Sequence, residues 1–225
     1  MFVAKLTGLA LRSIQQITLH PDFPMIRQTL IAAALLLPTT FMTSTALAAD
    51  AEAIFAGGCF WCIEKDFEKI KGVKEVKSGY SGGTLANPTY KNHSGHREVV
   101  KIFYDDSKVS YDQLLNFFFR TVDPTDGGGQ FCDRGFAYST AVYAMNGKEL
   151  ESAQKAKAEA GRALGKKIAT EIAMAGKFTD AEGYHQNYYK KNPIRYNYYR
   201  TACGRNKTVK KLWGDMAYKF PGKSS

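Results

Sequence analysis

No run of apolar residues in this chain is long enough to cross a bilayer; the best, Thr29 to Leu37, is too short and too interrupted. There is no internal repeat and no linker that would divide the chain into domains. A second Cys-x-x-Cys is missing too. Structural zinc is usually held by two such pairs, and here Cys132 and Cys203 stand alone. His93 and His96 lack further ligands nearby, so no metal site is expected. Acidic residues are scarce: 21 against 31 Lys and Arg, a formal charge of +10. A basic chain invites nucleic acid. The basic residues are scattered, however, and no nucleic-acid motif accompanies them. The excess reads as a solvated surface with a weak preference for acidic partners, and no nucleic acid is expected.

What remains is 225 residues, 44% hydrophobic, enough for one soluble globular domain with a real core. Residues 1–48 read as a secretory signal. Met25-Ile26-Arg27-Gln28 is a short positive start, Thr29 to Leu37 the apolar core, and Thr45-Ala46-Leu47-Ala48 a small-residue cleavage site. Pro21, Asp22 and Pro24 are odd in a signal, which points to Met25 as the true start. Residues 49–225 are then a single domain, exported to the periplasm, with membrane contact only if the signal stays uncleaved. Export matters for the four cysteines. In an oxidising compartment two structural disulfides are the default, although a domain of this size does not need them.

Periodicity supplies the elements. Ala53 to Ala56 reads as a strand, followed by a Gly57-Gly58 turn. Phe60, Ile63, Phe67 and Ile70 recur at helical spacing, with Gly72 as a C-cap. Val73 to Tyr80 and Glu98 to Tyr104 read as strands flanking a polar loop. Ser110 and Gln113 form a capping box for a helix through Leu114, Leu115 and Phe118. Tyr138 to Met145 is a strand, Lys148 to Leu164 a surface helix, Lys167 to Met174 a strand, and Ala181 to Lys191 a short helix. From Arg195 onward periodic cues are few. The order β-α-β-β-α-β-α-β, with no helix between the second and third strands, predicts an α+β two-layer sandwich. Its mixed sheet is covered by helices, with a ferredoxin-like core and a long irregular C-terminal tail.

The chemistry concentrates at Gly57-Gly58-Cys59-Phe60-Trp61-Cys62-Ile63-Glu64. Cys59 falls between a strand and a helix, where free N–H groups favour an anion and can lower a thiol's pKa. The glycines leave space around it, and Phe60 and Trp61 offer aromatic faces to an apolar group such as a methyl on sulfur. A Cys-x-x-Cys after a strand is also the signature of a thioredoxin-like thiol–disulfide oxidoreductase using Cys59 and Cys62. The motif alone leaves these two enzyme readings open. A non-enzymatic binding protein stapled by two disulfides stands third.

Four further motifs separate them. Asn87-Pro88-Thr89-Tyr90 precedes Ser94-Gly95-His96-Arg97-Glu98. Asp123-Pro124-Thr125 leads to Gly129-Gln130-Phe131-Cys132-Asp133-Arg134-Gly135. Then come Ala181-Glu182-Gly183-Tyr184-His185-Gln186 and Tyr199-Arg200-Thr201-Ala202-Cys203-Gly204-Arg205. Together, from about Ile54 to Gly214, the chain resembles the methionine sulfoxide reductase A family, in the subgroup with extra cysteines.

The resemblance implies reduction of the S epimer of methionine sulfoxide, free or in proteins. Each epimer has its own enzyme. Cys59 matches the nucleophile that becomes a sulfenic acid. Glu98 matches the acid that protonates the sulfoxide oxygen, which requires a partly buried, apolar setting. Tyr90 and Tyr138 match the hydroxyls that hold that oxygen, although most of the 13 tyrosines must be packing residues. Phe60 and Trp61 match the methyl pocket, and Asp133 a pocket aspartate. Cys203 matches the cysteine that resolves the sulfenic acid as a disulfide with Cys59, recycled by a thioredoxin-type reductant. Cys62 and Cys132 are additional redox candidates: Cys62 is one helical turn from Cys59, and Cys132 can pair with Cys203 or remain inert. No cofactor is implied, and a monomer is the default. Phe136-Ala137-Tyr138-Ser139-Thr140 departs from the family, which often carries Gln and Arg beside that tyrosine. His185 reads as structural.

Overall fold

Alternation along β1 (Asp50–Ala56) settles which way the sheet faces. Ala53 and Phe55 point to one side, Ile54 and Ala56 to the other, and all four are buried. The computed structural model describes residues 50–222. The signal-like residues before Asp50 lie outside them. After β1 come α1 (Phe60–Glu68), β2 (Val73–Ser81), β3 (Arg97–Asp105) and α2 (Tyr111–Phe119). A two-strand hairpin, β4 (Gly129–Gln130) and β5 (Asp133–Arg134), precedes β6 (Ala141–Ala144) and α3 (Gly147–Leu164). The chain ends with β7 (Glu171–Met174), β8 (Thr179–Asp180), α4 (Tyr188–Lys191), α5 (Pro193–Ala202) and α6 (Arg205–Trp213).

The main sheet runs β7-β6-β1-β3-β2-β8. β6 and β7 are parallel and every other pair is antiparallel, so the mixed α+β sheet predicted from the sequence is what forms. On one face Phe55, Val76, Val100 and Ile102 meet Ile63 and Phe67 of α1, Leu114 and Phe118 of α2, and Ala153 and Ala160 of α3. Each fully buried side chain of this kind stabilises the fold by about 1.5–3 kcal/mol. The other face carries a smaller cluster of Ile54, Val99 and Tyr143, covered in part by Phe178.

Local signals are realised unevenly. The capping box is complete: Ser110 Oγ accepts from the Gln113 backbone N–H and Gln113 Oε1 accepts from the Ser110 N–H. α3 is capped by Asn146 at its start and by Gly165, in the left-handed conformation, at its end. Gly72 is not a helix cap, because α1 ends at Glu68 and Gly72 sits in the following turn at φ +104°. The expected helix over 181–191 shrinks to α4, preceded by turns. The expected irregular tail is also corrected. It folds into α5 and α6, joined at Gly204 in the left-handed conformation. The buried side of α5 is Tyr196 and Arg200, and Arg200 pairs with buried Asp66 at 2.9 Å. A helix anchored by a buried ion pair leaves no apolar stripe in its sequence.

Candidate active site

β1 delivers the chain to Gly57-Gly58, and Cys59 takes the N-cap position of α1. Gly58 adopts φ +81°, and a Cβ there would meet Gln130 Cβ at 2.6 Å. Gln130 is wholly buried, donating to the carbonyls of Asp123 and Gly129. The glycines therefore do not leave open space, as the sequence suggests; they admit close packing behind the nucleophile. The opening lies on the other side, a cavity of about 60 Å³ lined by Cys59, Phe60, Trp61, Tyr90, Glu98, Asp133, Tyr138 and Tyr199. A larger groove of about 700 Å³, walled by Phe117, Tyr218 and Phe220, contains no cysteine and no carboxylate. The chemistry belongs to the smaller one.

Glu98 comes from β3, two residues before Val100 and so on the same face as the core. It is buried, and the N–H of Phe60 donates to its Oε2 at 3.0 Å. Burial raises its pKa to about 8, against the opposing pull of that hydrogen bond. Glu98 is thus a neutral acid near pH 7, held by the first free N–H of α1.

Cys59 and Cys62 are both free and buried. Burial pushes the Cys59 thiol up, and neighbouring Cys62 adds to the rise. The lowered pKa expected for Cys59 is therefore reversed. A helix N-terminus favours an anion by about 0.3–1 kcal/mol, less than one pKa unit, whereas burial can move a group by about 3–5 units. The charge goes to Cys62, whose pKa falls to about 6. The hydrogen bond from Cys59 lowers it most, and the nearby Arg205 and Arg200 cations help.

The tyrosines close the cavity. Tyr90 is held by its N–H donating to Glu182 Oε1 at 2.9 Å, and Tyr80 donates its hydroxyl to the same carboxylate. Burial raises the pKa of both Tyr90 and Tyr138, so both stay protonated donors. The Trp61 ring stacks on Tyr188 at 3.7 Å, and its indole N–H donates to His185 Nδ1 at 3.1 Å. His185 also packs against the rings of Phe60 and Tyr90, so it braces three of the residues that line the cavity. His96, buried, accepts from the Gly83 N–H and ties down the loop before β3. The departure around Tyr138 is locally satisfied: Ser139 Oγ accepts from Arg97, and the Phe136 ring lies 4.2 Å from its guanidinium.

Three neighbours of the site stand in the sequence motifs with no role assigned to them. Tyr199 lines the cavity and donates its hydroxyl to Asp133 Oδ2. Arg205 is buried with no carboxylate partner among the described residues; it donates to the carbonyls of Gly57 at 3.1 Å and Thr121 at 3.0 Å. Glu64, one turn past Phe60, is buried, and its oxygens accept from Ser78 Oγ and the Asn187 N–H. The spacing of Glu64 on α1 offered a signal; Tyr199 and Arg205 are brought in by α5 and α6, which periodicity does not show.

Of the two alternatives open for Cys132, pairing with Cys203 or an inert thiol, the structure shows the pairing. Cys203 is joined to Cys132 in a disulfide with Cα atoms 4.9 Å apart, not to Cys59. Cys132 sits in the β4–β5 turn next to Asp133, exposed, and Cys203 ends α5 one turn beyond Tyr199.

A neutral buried carboxyl, a cysteine and three phenols around one small cavity make a site for taking oxygen from sulfur. A family model described as peptide methionine sulfoxide reductase matches residues 51–217. The chain belongs to the peptide methionine sulfoxide reductase family. It is 55% identical over 185 residues to peptide methionine sulfoxide reductase MsrA 2 of Rhizobium meliloti, covering 81% of this chain and 93% of that protein. To MsrA of Bacillus subtilis it is 46% identical, covering 72% of this chain and 95% of that one. Among solved structures, reduced Mxr1 of Saccharomyces cerevisiae is similar with a TM-score of 0.62 and 34% identity, over 65% of this chain and 87% of that one. Methionine sulfoxide reductase A of Corynebacterium diphtheriae gives 0.61 and 30%, over 66% and 78%. Membership makes the chain an oxidoreductase of the A type, as its motifs indicate.

Proposed function

We propose that the chain reduces the S epimer of methionine sulfoxide, free or in proteins, through a sulfenic acid on Cys59. The observation that carries this reading is neutral, buried Glu98 sharing one cavity with Cys59. With one oxygen engaged by the Phe60 N–H, the other oxygen of Glu98 is left to carry a proton to the sulfoxide oxygen. Tyr90 and Tyr138 hold the same oxygen by their hydroxyls, and the methyl lies on Phe60 and Trp61. Cys59 gives its proton to the Cys62 thiolate as its sulfur attacks the sulfoxide sulfur. Methionine leaves and the oxygen stays on Cys59 as S–OH.

Return to the thiol requires two electrons. They enter through Cys203 once its disulfide with Cys132 is opened by a thioredoxin-type dithiol. We also propose export, with cleavage near Ala48 and translation from Met25. No helix among the described residues is long and apolar enough to cross a membrane. The first residue of the mature chain, read by mass spectrometry from a periplasmic fraction, tests that part.

The reaction is tested with a racemic, blocked methionine sulfoxide and dithiothreitol, comparing wild type with Cys59→Ser. Consumption of the S epimer alone, lost in the variant, is expected. Turnover of neither epimer by folded, reduced wild type overturns the reading.

A further inference from the structure

Tyr138 reaches the cavity from a turn with no core of its own. It ends a single 3-10 turn, Phe136–Tyr138, none of whose residues is buried, and the Phe136 ring is 52% exposed. Such a turn has poorer hydrogen-bond geometry than an α-helix and little stability by itself. Tyr199 and Tyr80 are fixed by their own hydroxyls, on Asp133 and Glu182. The Tyr138 hydroxyl has no such partner among the described residues. It is free for a substrate oxygen, and its place depends on the backbone that carries it.

One buried side chain takes hold of both ends of that turn. Arg97, 5% exposed, lies on the face of β3 opposite Glu98, beside Val99. Its Nε donates to Ser139 Oγ at 2.8 Å, just past the turn, and its guanidinium lies 4.2 Å from the centre of the Phe136 ring at the start. Ser139 Oγ donates in its turn to the Phe136 carbonyl at 2.8 Å, which closes the loop between the two contacts. The other nitrogens tie the guanidinium to the sheet. Nη1 donates to the Tyr143 hydroxyl of β6 at 2.8 Å and Nη2 to Glu171 of β7 at 2.7 Å. Tyr143 is backed by Gly82, where any Cβ would collide with its hydroxyl. The sheet thus fixes the fork through two nitrogens, and the turn hangs on the third and on the ring face.

Stability alone does not call for a charge here. Apolar residues in place of a buried ion pair are often neutral or stabilising, and the carboxylate partner, Glu171, is half exposed. What an apolar residue or a lysine would lack is a planar set of donors in fixed directions.

We propose that Arg97 is the positioning residue for Tyr138, holding the exposed turn so that the phenol stays at the cavity beside Glu98. The inference rests on the sulfoxide reaction proposed above and on the part of the phenol in it. Arg97 and Glu98 are consecutive on β3 and point to opposite faces. One strand therefore sets the acid directly and the phenol through the guanidinium, and both must meet the same substrate oxygen. A misplacement of about 1 Å can cost about 100-fold in rate, so a turn free to drift would lose that oxygen.

The test is a double-mutant cycle on the full-length chain: wild type, Arg97→Gln, Tyr138→Phe and both together. Single-turnover release of methionine is followed over a range of methionine sulfoxide concentrations, which gives a maximal rate and a half-saturating concentration for each. Tyr138→Phe and Arg97→Gln are each expected to lower the ratio of the two by about 10–100-fold, divided in the same proportions between rate and concentration. Adding Arg97→Gln to Tyr138→Phe is expected to cost less than about twofold more. An Arg97→Gln loss as large in the Tyr138→Phe background as in wild type overturns the proposal, since a general weakening of the fold acts equally in both. Ser139→Ala, which removes only the bond from Nε and the closure on Phe136, serves if Arg97→Gln does not fold. A loss of about threefold or more that disappears in Tyr138→Phe then supports the proposal, and no loss overturns it. Wild-type values in Tyr138→Phe overturn the role of the phenol and this proposal with it, whereas no turnover by folded wild type overturns the sulfoxide reaction itself.

Discussion

The backbone N–H of Phe60 donates to Glu98 Oε2 at 3.0 Å, tying the first free donor of α1 to an acid from β3. This bond places a proton source beside Cys59, the residue before Phe60. It also opposes the rise in the Glu98 pKa, so burial has to outweigh it for the acid to stay neutral. Burial and one hydrogen bond together tune the acid toward neutral pH, where general acids work best.

Arg205 is buried with no carboxylate partner among the described residues, and its charge favours the Cys62 thiolate. Replacing it with Met is expected to raise the Cys62 pKa. The rate of thiolate alkylation at Cys62 should then rise with pH at a higher midpoint than the value near 6 of the wild type. An unchanged midpoint in a folded variant would show that the cation has no such effect.

The Arg200–Asp66 pair holds α5 against α1. Asp66→Asn leaves a buried guanidinium uncompensated, and stability should fall by about 3–5 kcal/mol in denaturant unfolding. Replacing both residues with apolar ones of similar size is expected to recover most of that loss.

Trp61 is positioned by the Tyr188 stack and the His185 hydrogen bond rather than by the core alone. Trp61→Ala should lower kcat/KM for methionine sulfoxide by about tenfold or more, the scale set by a lost apolar contact. Dimethyl sulfoxide, which has methyls on both sides and no side chain to orient, should show a similar loss.

Glu64 carries a pKa raised from 4.5 to about 7 by burial. The folded state therefore holds a proton that the unfolded state releases, and stability falls as pH rises from about 4.5 to about 7. Glu64→Gln should flatten that part of the stability–pH curve, measured by urea unfolding at several pH values. A slope equal to wild type would argue against a neutral Glu64.

Much of this was legible in the sequence. The strands of the sheet show as short apolar runs, and α2 announces itself by its capping box. Seven of the eight residues lining the small cavity belong to the motifs that carried the resemblance. What could not be read is set by tertiary contacts. α5 and α6 dock through Arg200 and Arg205, so their buried faces look polar. The Cys59 pKa depends on burial and on Cys62, which a helix-terminus argument underweights. The Cys132–Cys203 bond joins residues 71 apart, and spacing alone leaves that pairing open.

The central claim is that neutral Glu98 protonates the sulfoxide oxygen as Cys59 attacks. The direct measurement is the single-turnover rate of methionine release as a function of pH, for wild type and Glu98→Gln. Above the Glu98 pKa the acid loses its proton, so the wild-type rate should fall as pH rises through about 8. In Glu98→Gln the rate should drop by about 10²–10⁴-fold and lose that alkaline limb. A variant that keeps wild-type speed, or an alkaline limb that survives the substitution, would contradict the account.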